Sequence, residues 1–190
     1  MKIASELLIE DLIDRTREVL NESTQLMSLS EKELNFRMEE NKWSVLECIE
    51  HLNLYGDFYI PEIGKQMSRY TGKSSLFFRS SWLGNYFANM MLPREKLNKI
   101  QTFKDKNPIG SQLNKQVIEK FIHQQKDILN LLHEAQNVDL RKVKTGISIS
   151  NWIKLRLGDT FRVVIYHNQR HIVQAKRTLR YYEEKTSEKV

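Results

Sequence analysis

Cysteine, glycine and proline are scarce in this chain of 190 residues. The single cysteine, Cys48, excludes an intramolecular disulfide and fits a reducing compartment. With 7 Gly and 3 Pro, turn signals are few, which favours long helices over a many-stranded sheet protein. No apolar run approaches the about 20 residues that span a bilayer, and the N-terminal segment lacks the features of a secretory signal. We therefore expect a cytoplasmic protein without a membrane partner.

Positive charge is in modest excess, with a net charge of +6 and a pI of about 9.3. Much of the excess lies near the C-terminus, which could indicate a nucleic-acid interface. Acidic residues are mixed in along most of the chain, however, and no aromatic stacking platform or nucleic-acid motif accompanies the basic residues. We interpret them as a solvated helix face and expect no nucleic-acid partner. The basic residues concerned are Lys154, Arg156, Arg162, Arg170, Lys176, Arg177 and Arg180.

Apolar residues recur at three-to-four spacing in four segments, which predicts four long helices. Ser44 and Glu47 form a capping-box pattern at the start of the second helix, and Pro61 could kink or break that helix. Asp159 or Thr160 could cap the last helix. Four long helices predict an all-α four-helix bundle, with residues 1–190 as a single domain. The predicted helices cover about 5–27, 44–71, 113–136 and 159–182.

The segment of about 72–110 is less regular and rich in aromatic residues. It contains the run SSLFFRSSWLGNYFANMML, which predicts a short helix inserted between the second and third bundle helices. This insertion could line a pocket or form a homodimer contact through an apolar surface. It could equally form a small satellite core beneath a long connection. These alternatives remain open at the level of the sequence.

Two histidines on the last helix have a spacing that suits a metal ion. His167 and His171 are four residues apart, so a helix places both rings on one face, one turn apart. The pair is not a zinc-protease HExxH motif, because Asn168 occupies the glutamate position. His51 lies in the middle of the capped second helix and could face the pair across the bundle. The simpler alternative is a set of partly buried histidines that bond to their neighbours.

Two stretches resemble the motifs of a known family. Residues 43–52, WSVLECIEHL, look like the second-helix motif of the DinB-like superfamily, and residues 167–174, HNQRHIVQ, are similar to its fourth-helix motif. The resemblance implies a four-helix bundle with an up-down-down-up arrangement. It also implies that His51, His167 and His171 are metal ligands. It does not extend to the aromatic insertion.

The resemblance implies a metal-dependent enzyme that acts on a small molecule. The family includes proteins described as metal-dependent hydrolases and transferases that join low-molecular-weight thiols to electrophiles. Three imidazoles suit a divalent transition metal ion, zinc or nickel first, and leave a coordination position open. The alternative is a non-catalytic bundle that binds a metal, a ligand or another protein. The sequence offers no obvious general base, so no catalytic residue is assigned.

Several other residues are candidates for the surroundings of this site. Glu47, Tyr55 and Gln174 are each one turn or less from a predicted ligand and could form hydrogen bonds near the metal or line a substrate pocket. Cys48 could approach the metal or act as a thiol nucleophile, although packing is the favoured interpretation. Asp57 is a further outer candidate, whereas His123 and His133 are expected at the surface. An acidic substrate could be bound by Arg79, Arg94 or Arg162.

Overall fold

The computed structural model describes residues 1–93 and 102–187. Most of these residues are helical, which confirms the prediction of a mainly helical protein. Two small pairs of strands accompany the helices. In chain order the elements are β1 (Lys2–Ala4), α1 (Ser5–Leu26), α2 (Glu31–Asn35), α3 (Val45–Ser68), β2 (Phe77–Arg79), α4 (Trp82–Met91), a 3-10 turn (Lys104–Lys106), α5 (Gln116–Glu134), a second 3-10 turn (Ala135–Asn137), β3 (Lys144–Ile147), β4 (Ser150–Arg156) and α6 (Leu157–Ser187).

The four long helices pack side by side around the core. Both α1 and α3 contact α5 and α6. Each helix buries the apolar stripe that its sequence predicts, such as Leu8, Leu12 and Val19 on α1. One part of the core lies around the first half of α1 and the second half of α3, and the other around Ile49 and Ile172. The boundary between α3 and α6 is where the predicted metal ligands lie.

The start of α3 is fixed by the predicted capping box. The Ser44 hydroxyl accepts a hydrogen bond from Glu47 N at 3.2 Å, and Glu47 Oε2 accepts one from Ser44 N at 2.8 Å. Both bonds satisfy backbone N–H groups that the first turn of a helix leaves without partners. Pro61 does not break the helix, which continues to Ser68. The residues of α3 therefore keep one helical register from Val45 past His51 to its end.

The prediction that Asp159 or Thr160 caps α6 is wrong. Strand β4 runs directly into α6, so the helix already begins at Leu157. Asp159 is fully buried and accepts hydrogen bonds from Ser80 and Ser81, the latter at 2.9 Å from both N and Oγ. The Thr160 hydroxyl is 2.6 Å from that of Thr145 on β3. Both side chains therefore bind other elements, which the local sequence around α6 could not reveal.

The strands modify the all-α prediction. Strand β1 pairs antiparallel with β2, and β3 pairs antiparallel with β4, with a register shift between Gly146 and Ile147. The sequence analysis predicted none of these strands. On β4 the side chains differ in burial, since Leu155 is 2% exposed and Trp152 is 95% exposed. The hairpin thus contributes apolar side chains both to the interior and to the surface.

The aromatic segment of 72–110 contains β2 and α4 and lies between α3 and α5. Phe78 and Ala88 are buried in the main core rather than in a separate satellite core, whereas Trp82 and Tyr86 are 84% and 56% exposed. Whether the exposed rings form a homodimer contact stays a prediction. Arg94, a candidate for binding an acidic substrate, lies outside the described residues.

Two glycines in helices provide a matched test of this packing. A Cβ atom at Gly84 on α4 would collide with the buried carboxyl group of Asp159, whereas one at Gly64 on α3 would meet Leu131 at an ordinary 3.6 Å. We expect Gly84→Ala to lower the free energy of unfolding by about 1–3 kcal/mol. Gly64→Ala should raise it by about 0.5–1 kcal/mol, because alanine stabilises a helix interior. Chemical denaturation of both variants checks this, and equal effects would contradict the packing described.

Candidate metal centre

Three histidine rings meet between α3 and α6. His51 Nε2 is 3.2 Å from His167 Nε2, which is 3.0 Å from His171 Nε2. All three residues offer ligand atoms within 4.8 Å of one another. Nitrogen ligands at about 2.0–2.1 Å in tetrahedral geometry lie about 3.3 Å apart. The observed separations are close to that value, so the three rings fit a shared ion with little rearrangement.

Burial keeps the three rings in the neutral form. The side chains of His51, His167 and His171 are 3%, 9% and 8% exposed. Burial lowers the pKa of His51 to about 4. The pKa values of His167 and His171 lie well below the ordinary value, first because of burial and then because of the neighbouring histidines and Arg170. A neutral imidazole is the form that ligates a metal, so the site is ready to bind one at neutral pH.

The orientation of His51 is set by a distant part of the chain. Its Nδ1 is 2.6 Å from the backbone carbonyl oxygen of Lys106. A carbonyl can only accept, so Nδ1 carries the proton and Nε2 presents its lone pair to the other rings. The Lys106 side chain also donates a hydrogen bond to the Leu54 carbonyl. The loop that contains Lys106 is therefore attached to α3 at His51 and again at Leu54, about one turn further along the helix.

His171 is held differently. Its Nδ1 is buried and has no hydrogen-bond partner of good geometry within the described part of the chain. Gln174, one turn further along α6, still acts on this ring and slightly offsets the lowering of its pKa. The Trp43 ring lies 5.6 Å from the His171 ring and 4.6 Å from the His51 ring. The His171 ring is therefore held by packing against Trp43 and by its contacts with His167 and Gln174 on the same helix.

The histidines open onto a large cavity. Its volume is about 1030 Å³, and among the described residues no aspartate or glutamate lines it. Tyr55 lies between the site and the cavity, with its ring 5.0 Å from that of His51 and 4.9 Å from that of His167. Burial raises the pKa of Tyr55 to about 12, so its hydroxyl remains protonated at neutral pH. The lining groups near the histidines can therefore donate hydrogen bonds, but no carboxylate among the described residues can act as a base.

The other predicted site residues are found in different places. Tyr55 and Gln174 line the cavity, as do the three histidines, but Glu47 does not. Glu47 binds Arg37 through both carboxylate oxygens at 2.9 and 2.5 Å and accepts a hydrogen bond from Gly110 N at 2.6 Å. Burial opposes its ionisation, but Arg37 and these hydrogen bonds lower its pKa overall. Glu47 therefore anchors the loop that follows Lys106 and remains outside the cavity.

The remaining candidates lie away from the histidines. Cys48 is fully buried in the core, and burial raises the pKa of its thiol, which disfavours a role as nucleophile. Asp57 pairs with Lys120 at the surface, and both His123 and His133 are exposed, as expected. Arg162 is buried beside Asp159 and does not line the cavity. The exposed Arg79 does not line it either.

The sequence analysis did not identify two groups that help to position the histidines. The Lys106 carbonyl could not be found, because a backbone group carries no residue signal and lies far from His51 in the chain. Trp43 was visible beside the capping box, and its indole N–H donates to Asn107 Oδ1 at 3.0 Å. An aromatic residue directly before a capped helix that carries a ligand is the signal that could have indicated it.

Comparison with known families agrees with this geometry. A family model described as the DinB superfamily matches residues 12–175. The chain belongs to the DinB superfamily. The match includes α3 and the part of α6 that carries the paired histidines, so this DinB protein presents its histidine cluster within the matched region. Neither the curated proteins nor the solved structures contain a match to it. None of its described helices combines the length and apolar character that crossing a bilayer requires.

The buried histidines predict how the stability of the metal-free protein depends on pH. The pKa of His51 is about 4 in the folded protein and about 6.5 when the chain unfolds. Between these values the unfolded chain binds more protons, so the free energy of unfolding should fall as the pH is lowered from about 6.5. Each buried histidine contributes at most about 1.4 kcal/mol per pH unit.

Denaturant titration of metal-free protein between about pH 6.5 and 5 measures this slope, above the range in which most carboxylates titrate. His51→Gln should reduce the slope by up to one histidine's contribution. An identical slope in the wild type and the variant would show that His51 titrates normally in the folded protein.

Proposed function

We propose that this protein is a metal-dependent enzyme that acts on a small molecule. One divalent transition metal ion, zinc or nickel first, is bound by the Nε2 atoms of His51, His167 and His171. The observation that carries the proposal is the convergence of three neutral, buried Nε2 atoms at the wall of a large cavity. Three protein ligands leave a position for a substrate, which is the pattern of catalytic rather than structural sites.

An ion bound there supplies a Lewis acid that acidifies water or a thiol. The protein itself contributes no carboxylate base among the described lining residues. Hydrolysis at a metal commonly also uses a carboxylate to orient the attacking water and to pass its proton to the leaving group, whereas transfer of a thiolate has no water to deprotonate. We therefore place transfer of a low-molecular-weight thiol to an electrophile first and hydrolysis second. The protonated Tyr55 hydroxyl is suited to donate a hydrogen bond to the electrophile.

We also propose that α1, α3, α5 and α6 form the DinB-like four-helix bundle in the up-down-down-up arrangement. We also propose a cytoplasmic location and no nucleic-acid or membrane partner. The exposed rings of Trp82 and Tyr86 support a homodimer, because such rings are more often covered than left in water.

A screen with and without thiol tests the reaction class. Metal-loaded protein, purified without a metal-affinity step, is mixed with activated aryl halides, epoxides and esters, either alone or with a cysteine-containing thiol. We expect turnover of an electrophile only when the thiol is present. His167→Ala should reduce the rate to background, whereas the exposed-residue control His133→Ala should retain it.

Each other outcome has a definite meaning. Ester cleavage without thiol that is lost in His167→Ala would replace transfer by hydrolysis. Turnover that survives in His167→Ala would contradict a catalytic role of the metal site. Tight metal binding without any turnover would favour the non-catalytic alternative, in which the protein binds a metal or ligand only.

A further inference from the structure

The cavity extends from the histidines along both helices that carry them. On α3, His51, Tyr55 and Tyr59 follow one another at intervals of one turn, and all three line the cavity. On α6, the lining continues from His171 through His167 to Val164 and Val163. Eight residues of helix correspond to about 12 Å. The far end of the cavity is therefore about 12 Å from the candidate metal centre.

The apolar lining of the cavity forms a chamber whose walls come from α3, α4, α6, β3 and β4. Tyr59 belongs to α3, and Val163 and Val164 belong to α6. None of the described residues in this lining carries a charge, and the polar groups beside it are the Tyr59 hydroxyl and Ser148. We define the apolar chamber by Tyr59, Phe87, Met90, Met91, Ile147, Leu155, Val163 and Val164.

The charged lining residues lie at the histidine end of the cavity. Lys42 lies just before α3, and Arg170 lies on α6 beside His171; no other charged side chain among the described residues lines the cavity. The cavity is thus amphipathic, because charged side chains lie near the histidines and apolar side chains form much of the remaining lining. Empty apolar space lowers stability because its lining loses packing contacts, and such cavities bind apolar molecules. The shape and polarity of the chamber therefore specify the occupant that complements it.

We propose that the substrate carries an apolar group of about eight carbon atoms, which fills the chamber while the reactive group lies at the histidines. This inference rests on the proposed function for the position of the reactive group. It adds the substrate class, namely an electrophile or ester with a medium-length alkyl or an aromatic group. It also assigns substrate specificity to α4 and the β3–β4 hairpin, which carry no predicted metal ligand.

Binding of an alkyl group in the chamber is tested with a series of n-alkyl hydroxamic acids on zinc-loaded protein. The hydroxamate group binds zinc, and the members of the series differ only in the length of the alkyl chain. Isothermal titration calorimetry should show an affinity gain of about fourfold per methylene up to about eight carbons, followed by a plateau. The same protein without metal is titrated with n-alkanols, which need no metal. Their affinity should rise with chain length in the same way.

Met90 and Asn89 form a matched pair on α4. Met90 lines the chamber, whereas Asn89 is exposed and does not. Met90→Glu should lower the affinity for the eight-carbon hydroxamate at least about tenfold and leave acetohydroxamate within about twofold. Asn89→Glu should change neither. Met90→Trp keeps the wall apolar and should move the plateau to shorter alkyl chains. It replaces Met90→Glu as the test if the glutamate variant does not fold.

The outcomes separate this inference from the proposed function. Failure to bind zinc, together with a chain-length gain for the alkanols, would contradict the metal site but support the chamber. Zinc binding with equal affinities for short and long hydroxamates would overturn the chamber alone. Equal effects of Met90→Glu and Asn89→Glu would also overturn it, because the gain would then arise elsewhere on the protein.

Discussion

The burial of three histidine rings against one another is the constraint on which the rest of this structure depends. Three neutral imidazoles with converging Nε2 atoms lose water without gaining full hydrogen bonding, and His171 Nδ1 has no well-oriented partner among the described residues. A shared metal ion would compensate for that loss at the three Nε2 atoms. Without one, the arrangement is maintained by the packing of α3 against α6. The site is thus stabilised by the fold rather than by its own contacts.

Several features of the fold keep this arrangement in register. The capping box at Ser44 and Glu47 fixes where α3 begins and hence where His51 lies. The same Glu47 carboxylate binds Arg37 and Gly110, close in the chain to the Lys106 carbonyl that orients the His51 ring. One buried side chain therefore links helix initiation to the orientation of a candidate ligand. This explains why Glu47 is close in sequence to the site and yet absent from the cavity.

A second buried polar group attaches α4, which forms part of the cavity wall, to α6. Asp159 at the start of α6 accepts hydrogen bonds from Ser80 and Ser81, which lie directly before α4, and Arg162 joins the same cluster. The segment that carries Phe87, Met90 and Met91 is thereby attached to the helix that carries the paired histidines. The apolar chamber and the candidate metal centre share α6 as a common wall, whereas α4 carries none of the three histidines.

Local signals predicted more of this molecule than long-range ones. Helical periodicity indicated the four long helices, and the box at Ser44 predicted the start of α3, because both patterns involve residues within a few positions. The spacing of His167 and His171 indicated a shared face, the bundle placed His51 opposite them, and the family resemblance implied that all three are ligands. The α6 caps were predicted wrongly because Asp159 bonds to residues about eighty positions away. The hairpin, the Lys106 carbonyl and the shape of the cavity likewise arise from contacts between distant segments.

Zinc titration of metal-free protein by calorimetry tests the central claim most directly, with His51→Ala, His167→Ala and the exposed-histidine control His133→Ala measured alongside. The account predicts one equivalent of zinc for the wild type and for His133→Ala, and loss of this tight binding in both site variants. His51 and His167 lie on different helices. Loss of the zinc site in both variants would therefore show that α3 and α6 share the ion. No zinc binding by the wild type near neutral pH, or unchanged binding in His51→Ala, would contradict it.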